Sequence, residues 1–208
     1  MNIFDPFGDY EEKGYLQNKR GLPFGAGLSK VERDCFLVNL PFATAYLHHQ
    51  RSLQYGHLLK THHILFGDLY PWAGKPRSKV FPGKIIFKGD TMFAASHNIE
   101  KAFHIAMQGD SPGKTLGHLC YTHPFLDGNG RAIFTFFDEY LKRKNLRLNW
   151  TGISRDDFLK AIDQQIAQPD SQALDDLLAP LLSDYAQDRN SNKGLENVNW
   201  TQRKKHDK

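Results

Sequence analysis

The sequence predicts a mainly α-helical domain that carries one β-hairpin. Three observations lead there. Seven stretches place apolar residues at helical spacing between Gly, Pro, Ser or Asp punctuation. Residues 79–89 read as two β-prone runs around Pro82-Gly83, the signal of a hairpin. No other segment alternates convincingly between apolar and polar residues. In chain order, Ser29-Lys30-Val31-Glu32 has the form of a capping box and predicts a helix running to Gln50. A second helix is predicted over Tyr55–Phe66. Tyr70-Pro71-Trp72-Ala73-Gly74-Lys75-Pro76-Arg77 is irregular, because two prolines and Gly74 break either period; Tyr70 and Trp72 are expected to pack beneath the hairpin. Helices follow over 99–108, 113–121, 131–144, 154–168 and 171–184.

The chain has 208 residues, room for one domain, expected over 1–185. Hydrophobic residues make up 40% and charged residues 24%, the balance of a globule rather than a disordered chain. No apolar run is long enough to span a bilayer, and the first residues do not read as a cleavable secretory signal. Cytoplasmic residence is therefore expected, with export by a specialised secretion system left open. Cys35 and Cys120 are expected to be reduced core residues. The net charge is +4, but residues 186–208 hold six Lys or Arg against three Asp or Glu. The excess belongs to a basic tail expected to be flexible. The body lacks the basic face a nucleic-acid reader needs, and no membrane partner is expected.

The chemistry concentrates in His123-Pro124-Phe125-Leu126-Asp127-Gly128-Asn129-Gly130-Arg131. Gly128-Asn129-Gly130 is expected to interrupt helix, which resumes at Arg131. Glycines let backbone N–H groups converge into an anion-binding nest, here opening on a helix N-terminus. Arg131 adds a forked, permanent cation suited to phosphate. Asp127 is a hard oxygen ligand for a cation such as Mg²⁺. His123 titrates near neutrality and can accept a proton. A base, a metal ligand, an anion cradle and a cation within nine residues suit transfer of a phosphate-linked group to a hydroxyl. His48, His49, His57, His62 and His63 do not have zinc-site spacing.

This string resembles the signature of the Fic (filamentation induced by cAMP) family, and collinear stretches at 62–74, 88–93 and Asn149-Trp150 are also similar, so that the resemblance covers about 55–158. It implies a Fic-type helical bundle with a β-hairpin flap over the active-site loop. It further implies transfer of AMP from ATP, with Mg²⁺, to a protein Ser, Thr or Tyr hydroxyl. His123 would be the base and Asp127 the Mg²⁺ ligand. Gly128, Asn129, Gly130 and Arg131 would hold the phosphates, with Lys88 and Gly89 at the flap's end. Ile85, Ile86 and Phe87 would dock the target as an added strand. The implied partners are a target protein with an exposed hydroxyl and an inhibitory, antitoxin-like protein.

Two departures stand out. The family's second motif Arg is replaced by Phe134, which with Phe137 and Leu141 forms a core-like stripe. AMP transfer would then be slow, or the donor would lack a γ-phosphate or carry another group, or Lys88 would compensate; a weakly active nucleotide-binding module is the remaining alternative. The flap also looks lengthened by Pro82-Gly83. The family's inhibitory helix has no true counterpart; residues 192–197 come nearest, with Glu196 lacking its usual Arg partner.

Overall fold

The computed structural model describes residues 16–23, 25–83, 85–88, 90–186 and 194–198. Within them, helices dominate: α1 Ala26–His48, α2 Tyr55–Phe66, the single turn α3 Arg77–Val80, α4 Ile99–Ala106, α5 Pro112–Thr122, α6 Asn129–Arg143, α7 Arg155–Ala167 and α8 Ala173–Leu178. Two small antiparallel sheets complete the fold, β1 Phe87–Lys88 with β2 Thr91–Met92, and β3 Leu146–Leu148 with β4 Leu182–Asp184.

The bundle is organised around α6. Ala132, Ile133, Phe134, Phe136, Phe137, Tyr140 and Leu141 are all buried, so this helix is apolar over most of its circumference. A helix buried on nearly every side must sit in the middle of a bundle. It packs against α1, α2 and α5, while α5 in turn contacts α4, α7 and α8. Ser111 caps α5, its side chain accepting from the Lys114 N–H, and Pro112 occupies the first turn, where a missing N–H costs nothing. Cys35 and Cys120 are both buried in the interior. Tyr70 and Trp72 are also core residues, stacked at 4.3 Å between ring centroids.

Four expectations need correction. The first helix starts at Ala26 rather than at Ser29, because Gly25 takes φ 146°, a conformation only glycine adopts freely, and turns the chain into the helix early. Ser29 therefore lies inside the first turn, donating its N–H to the Gly25 carbonyl. The hairpin exists, but its loop is not Pro82-Gly83. Arg77–Val80 forms a helical turn after Pro76, held by the burial of Arg77 and Val80, and Pro82-Gly83 is the turn that follows it. The strands are instead Phe87–Lys88 and Thr91–Met92, with Phe87 opposite Met92 and Lys88 opposite Thr91.

The last helix ends at Leu178 instead of continuing to 184. Pro180 interrupts it, and Leu182–Asp184 pairs with Leu146–Leu148 as a second sheet. Strands of three residues are too short to show a period. Finally, part of the expected tail belongs to the domain: Leu195 is 8% exposed, and its turn packs against Trp150–Gly152. The remainder of the tail, 187–193 and 199–208, lies outside the described residues.

Phe136 is fully buried and meets Phe103 edge-on at 5.6 Å. Phe136→Ala should lower unfolding stability by about 3–5 kcal/mol, read as a lower midpoint in urea with an unchanged slope.

Candidate active site

The loop 123–128 connects α5 to α6 and is braced from three directions. His123 ends α5 in the left-handed conformation, φ 37° and ψ 59°. That geometry is strained for a residue with a Cβ, so something must hold it. The Arg77 Nε donates to the His123 carbonyl at 2.8 Å, and the Arg77 backbone N–H donates to the Pro124 carbonyl at 2.7 Å. Further along, the Asn129 amide donates to the Phe125 carbonyl (2.7 Å) and accepts from the Phe125 N–H (2.8 Å). Gly128 then caps α6 at φ 74°, and its N–H donates to the Asp127 Oδ1 at 2.7 Å. A Cβ at Gly128 would lie 2.8 Å from the Phe66 ring and 3.0 Å from His62, so this position has no room for a side chain.

Helix α6 thus begins two residues before the expected Arg131. Asn129, Gly130 and Arg131 form its first turn, whose N–H groups have no intrahelical acceptor. The expected nest is in effect the helix start itself, with the dipole's positive end at the loop. Asn129 contributes to it only by its backbone, since its buried amide is committed to Phe125.

His62, whose spacing to the other histidines does not suit zinc, is a brace for the loop. It is fully buried and stacks on Phe125 at 3.8 Å. Its Nδ1 accepts from the Gly74 N–H at 3.0 Å, so its Nε2 carries the proton and donates to the Asp127 carbonyl at 2.9 Å. Burial, then the Arg131 charge and then His63, hold its pKa well below the usual histidine value. Among the described residues no group of three His, Cys, Asp or Glu is placed to bind a metal ion.

Arg131 is held by a residue from the other end of the chain. Its Nη2 lies 3.3 Å from Glu32 Oε1, and its guanidinium sits 4.7 Å above the Phe66 ring. Glu32 is buried on the inner face of α1 and also accepts from the Tyr70 hydroxyl at 2.7 Å. A carboxylate on the stripe Leu28, Cys35, Phe36 and Leu40 was the sequence signal for it, since buried acids are rare without a partner.

The hairpin reaches the loop through Phe93, whose ring stacks on the His123 imidazole at 4.0 Å. His123 is 6% exposed, so little of its surface is open to solvent. On the outer side, Ile85, Phe87 and Met92 are about half exposed, and Ile86 is partly buried. Thr91 donates its hydroxyl to Asp163 of α7 at 2.7 Å, tethering the flap's far strand. Gly89 and the Lys88 side chain lie outside the described residues.

Phe134 is a core residue, 7% exposed, with Trp150 at 5.3 Å and Phe158 at 5.4 Å. Glu196 lines a groove with Lys142, Asp138 and Tyr185, toward the C-terminal half of α6 and away from the loop.

A helical bundle whose central helix begins at a braced, glycine-capped loop beneath a short hairpin is the architecture of Fic domains. The N-terminal Fic domain of a Bartonella effector protein from Bartonella sp. AR 15-3 matches it with a TM-score of 0.66 at 21% identity, over 88% of this chain and 91% of that one. BepC from Bartonella tribocorum, solved with bound AMPPNP, matches with a TM-score of 0.65 at 17% identity, over 88% of this chain and 99% of that one. Residues 52–141 match the Fic/DOC family. The protein adenylyltransferase VbhT of Bartonella schoenbuchensis is 28% identical over 173 residues, 76% of this chain. The "Probable protein adenylyltransferase Fic" of Escherichia coli K12 is 28% identical over 144 residues, 62% of this chain and 69% of its own length. The chain spans only 35% of the length of VbhT. No helix among the described residues is long and apolar enough to cross a membrane.

Two outcomes test this geometry. The unfolded chain protonates His62 at about pH 6.5, whereas the folded chain resists until much lower pH. The native state then binds fewer protons, so stability is full above about pH 6.5 and falls below it, approaching about 1.4 kcal/mol per pH unit. Urea titrations from neutral to mildly acid pH should show this slope, and His62→Gln should flatten it. Separately, Glu32→Ala should cost about 1–3 kcal/mol by removing the acceptor shared by the Tyr70 hydroxyl and Arg131, read as a lower midpoint in urea.

Proposed function

We propose that this domain transfers AMP from ATP to a Ser, Thr or Tyr hydroxyl of a target protein. The observation that carries the reading is the junction of His123 with the start of α6. A histidine fixed by strain and bracing adjoins a helix N-terminus that presents N–H donors beside Arg131. In this reading the target hydroxyl attacks the α-phosphorus as His123 takes its proton. The bond between the α-phosphorus and the bridging oxygen breaks, and pyrophosphate leaves. The first-turn N–H groups of Gly130 and Arg131, with the Arg131 guanidinium, stabilise the charge on the phosphates. Ile85, Ile86 and Phe87 offer an edge to an extended target segment.

The donor set fits a shared Mg²⁺ rather than a caged one. Asp127 is a single hard carboxylate at the loop, and Mg²⁺ is commonly held by one or two carboxylates plus substrate phosphates. When bound it neutralises phosphate charge and favours departure of pyrophosphate. The cytoplasm is the proposed place of action, with delivery by a secretion system as the alternative. Glu196 lies on a groove away from the loop; on this reading inhibition comes from a separate antitoxin-like protein or is not needed.

Phe134 favours a second reading. An aromatic cluster with Trp150 and Phe158 stands where the family's second Arg would hold the terminal phosphates. On this reading the same loop acts on a donor without a γ-phosphate, or transfers a different phosphate-containing group.

Incubation with host lysate and α-labelled ATP should leave label on protein, and His123→Ala should reduce it by about 10²–10⁴-fold. Asp127→Ala should abolish the dependence of ATP binding on Mg²⁺. Label retained only from another donor, such as UTP or CDP-choline, would replace the first reading with the second. Phe134→Arg should raise transfer from ATP if the missing cation limits it; unchanged transfer in a folded variant removes Phe134 as the bottleneck.

A further inference from the structure

We infer that Arg77 is a positioning residue that locks the flap and the base into one rigid unit, so that a target seated on the flap is held in register with the His123 imidazole. The inference rests on the proposed role of His123 as the base.

The guanidinium of Arg77 is fully buried, and its fork is used on two parts of the site at once. Nε donates to the carbonyl of His123 at 2.8 Å, and Nη2 donates to the carbonyl of Ala94, the second residue after β2. The same junction is reinforced on both sides. The Ala94 N–H donates to the Tyr121 carbonyl at 3.0 Å, and the Phe93 N–H donates to the Ile86 carbonyl at 3.1 Å. Between them the Phe93 ring covers one face of the imidazole. The chain from Ile86 through Phe93 and Ala94 to His123 is thus one connected array, with Arg77 at its hinge.

A rigid, planar fork can hold two carbonyls at a fixed separation, whereas an ammonium is a point charge on a flexible stem. A residue that served only to fill the core would not need its donors aimed at the one strained non-glycine residue of the loop. His123 can keep its left-handed conformation only while its carbonyl stays turned toward Nε. Release of that carbonyl lets the imidazole move with respect to the start of α6. The phosphate-holding residues 127–131 have their own braces in His62 and Asn129, so they do not depend on this hinge.

The test uses the full chain with Arg77→Lys and Arg77→Gln, labelled with ¹³C at histidine and assigned through His123→Ala. The expected result is a shift of about half a unit or more in the His123 titration, with the calorimetric Kd for Mg²⁺-ATP changed less than about twofold. Label transfer from ATP should fall by about 10²-fold through kcat, without a matching rise in the KM for ATP. A folded Arg77→Lys whose His123 titrates as in the parent overturns the inference, as does a loss of ATP affinity parallel to the loss of transfer. Should neither variant fold, amide exchange on the unaltered chain decides. Ala94 and Phe93 should exchange as slowly as the end of α5, and exchange as fast as Thr91 at the hairpin would sink the proposal. If the parent chain transfers no label from any donor, the proposed function fails while the titration and exchange still report on the hinge.

Discussion

The site depends on where the carbonyl groups of one short loop are sent. Between His123 and Asp127, four of five carbonyls accept from a donor outside the loop: Nε and the N–H of Arg77, the Asn129 amide and the His62 imidazole. With those oxygens engaged by protein, the start of α6 is left rich in donors. An anion site needs this one-sided accounting, because a carbonyl turned toward a phosphate repels it. The braces come from α2, from the turn at Arg77 and from α6 itself, which is why so small a loop draws on three separate parts of the chain.

The bundle supplies the stiffness for this arrangement. Helix α6 is buried nearly all round, so its first turn cannot drift without disturbing a close-packed interior. Its aromatic neighbours make a continuous layer, with Phe103 on Phe136 and Trp150 and Phe158 on Phe134. Phe134 therefore contributes to the firmness of the helix that carries the site.

The motif loop was legible in the sequence because its residues lie in one contiguous string. His123, Asp127, Gly128 and Arg131 are all brought to the junction of α5 and α6. The residues that make the string work were not legible. Glu32 lies 99 positions from Arg131 and Arg77 lies 46 from His123; the apolar stripe marks Glu32 as buried, but nothing local to either residue names its partner. His62 was read for its spacing to other histidines, whereas its partners are backbone groups of Gly74 and Asp127. The hairpin was detected but its loop misplaced, because burial of Arg77 and Val80 overrides the β propensity of residues 79–81. The β3–β4 pair escaped notice because each strand is only three residues long.

The pairing of Arg131 with Glu32 also sets the range over which the site is felt. A lone guanidinium would pull polyanions in from the surrounding electrolyte, with an attraction that added salt dampens. Here the positive charge already has a fixed negative companion at 3.3 Å, so the two largely cancel at a distance. Recognition is deferred to contact, where the direction of individual N–H bonds outweighs bulk charge. Any anion drawn to this helix start would be met by the direction of its N–H bonds more than by net charge, an interaction that ionic strength alters little.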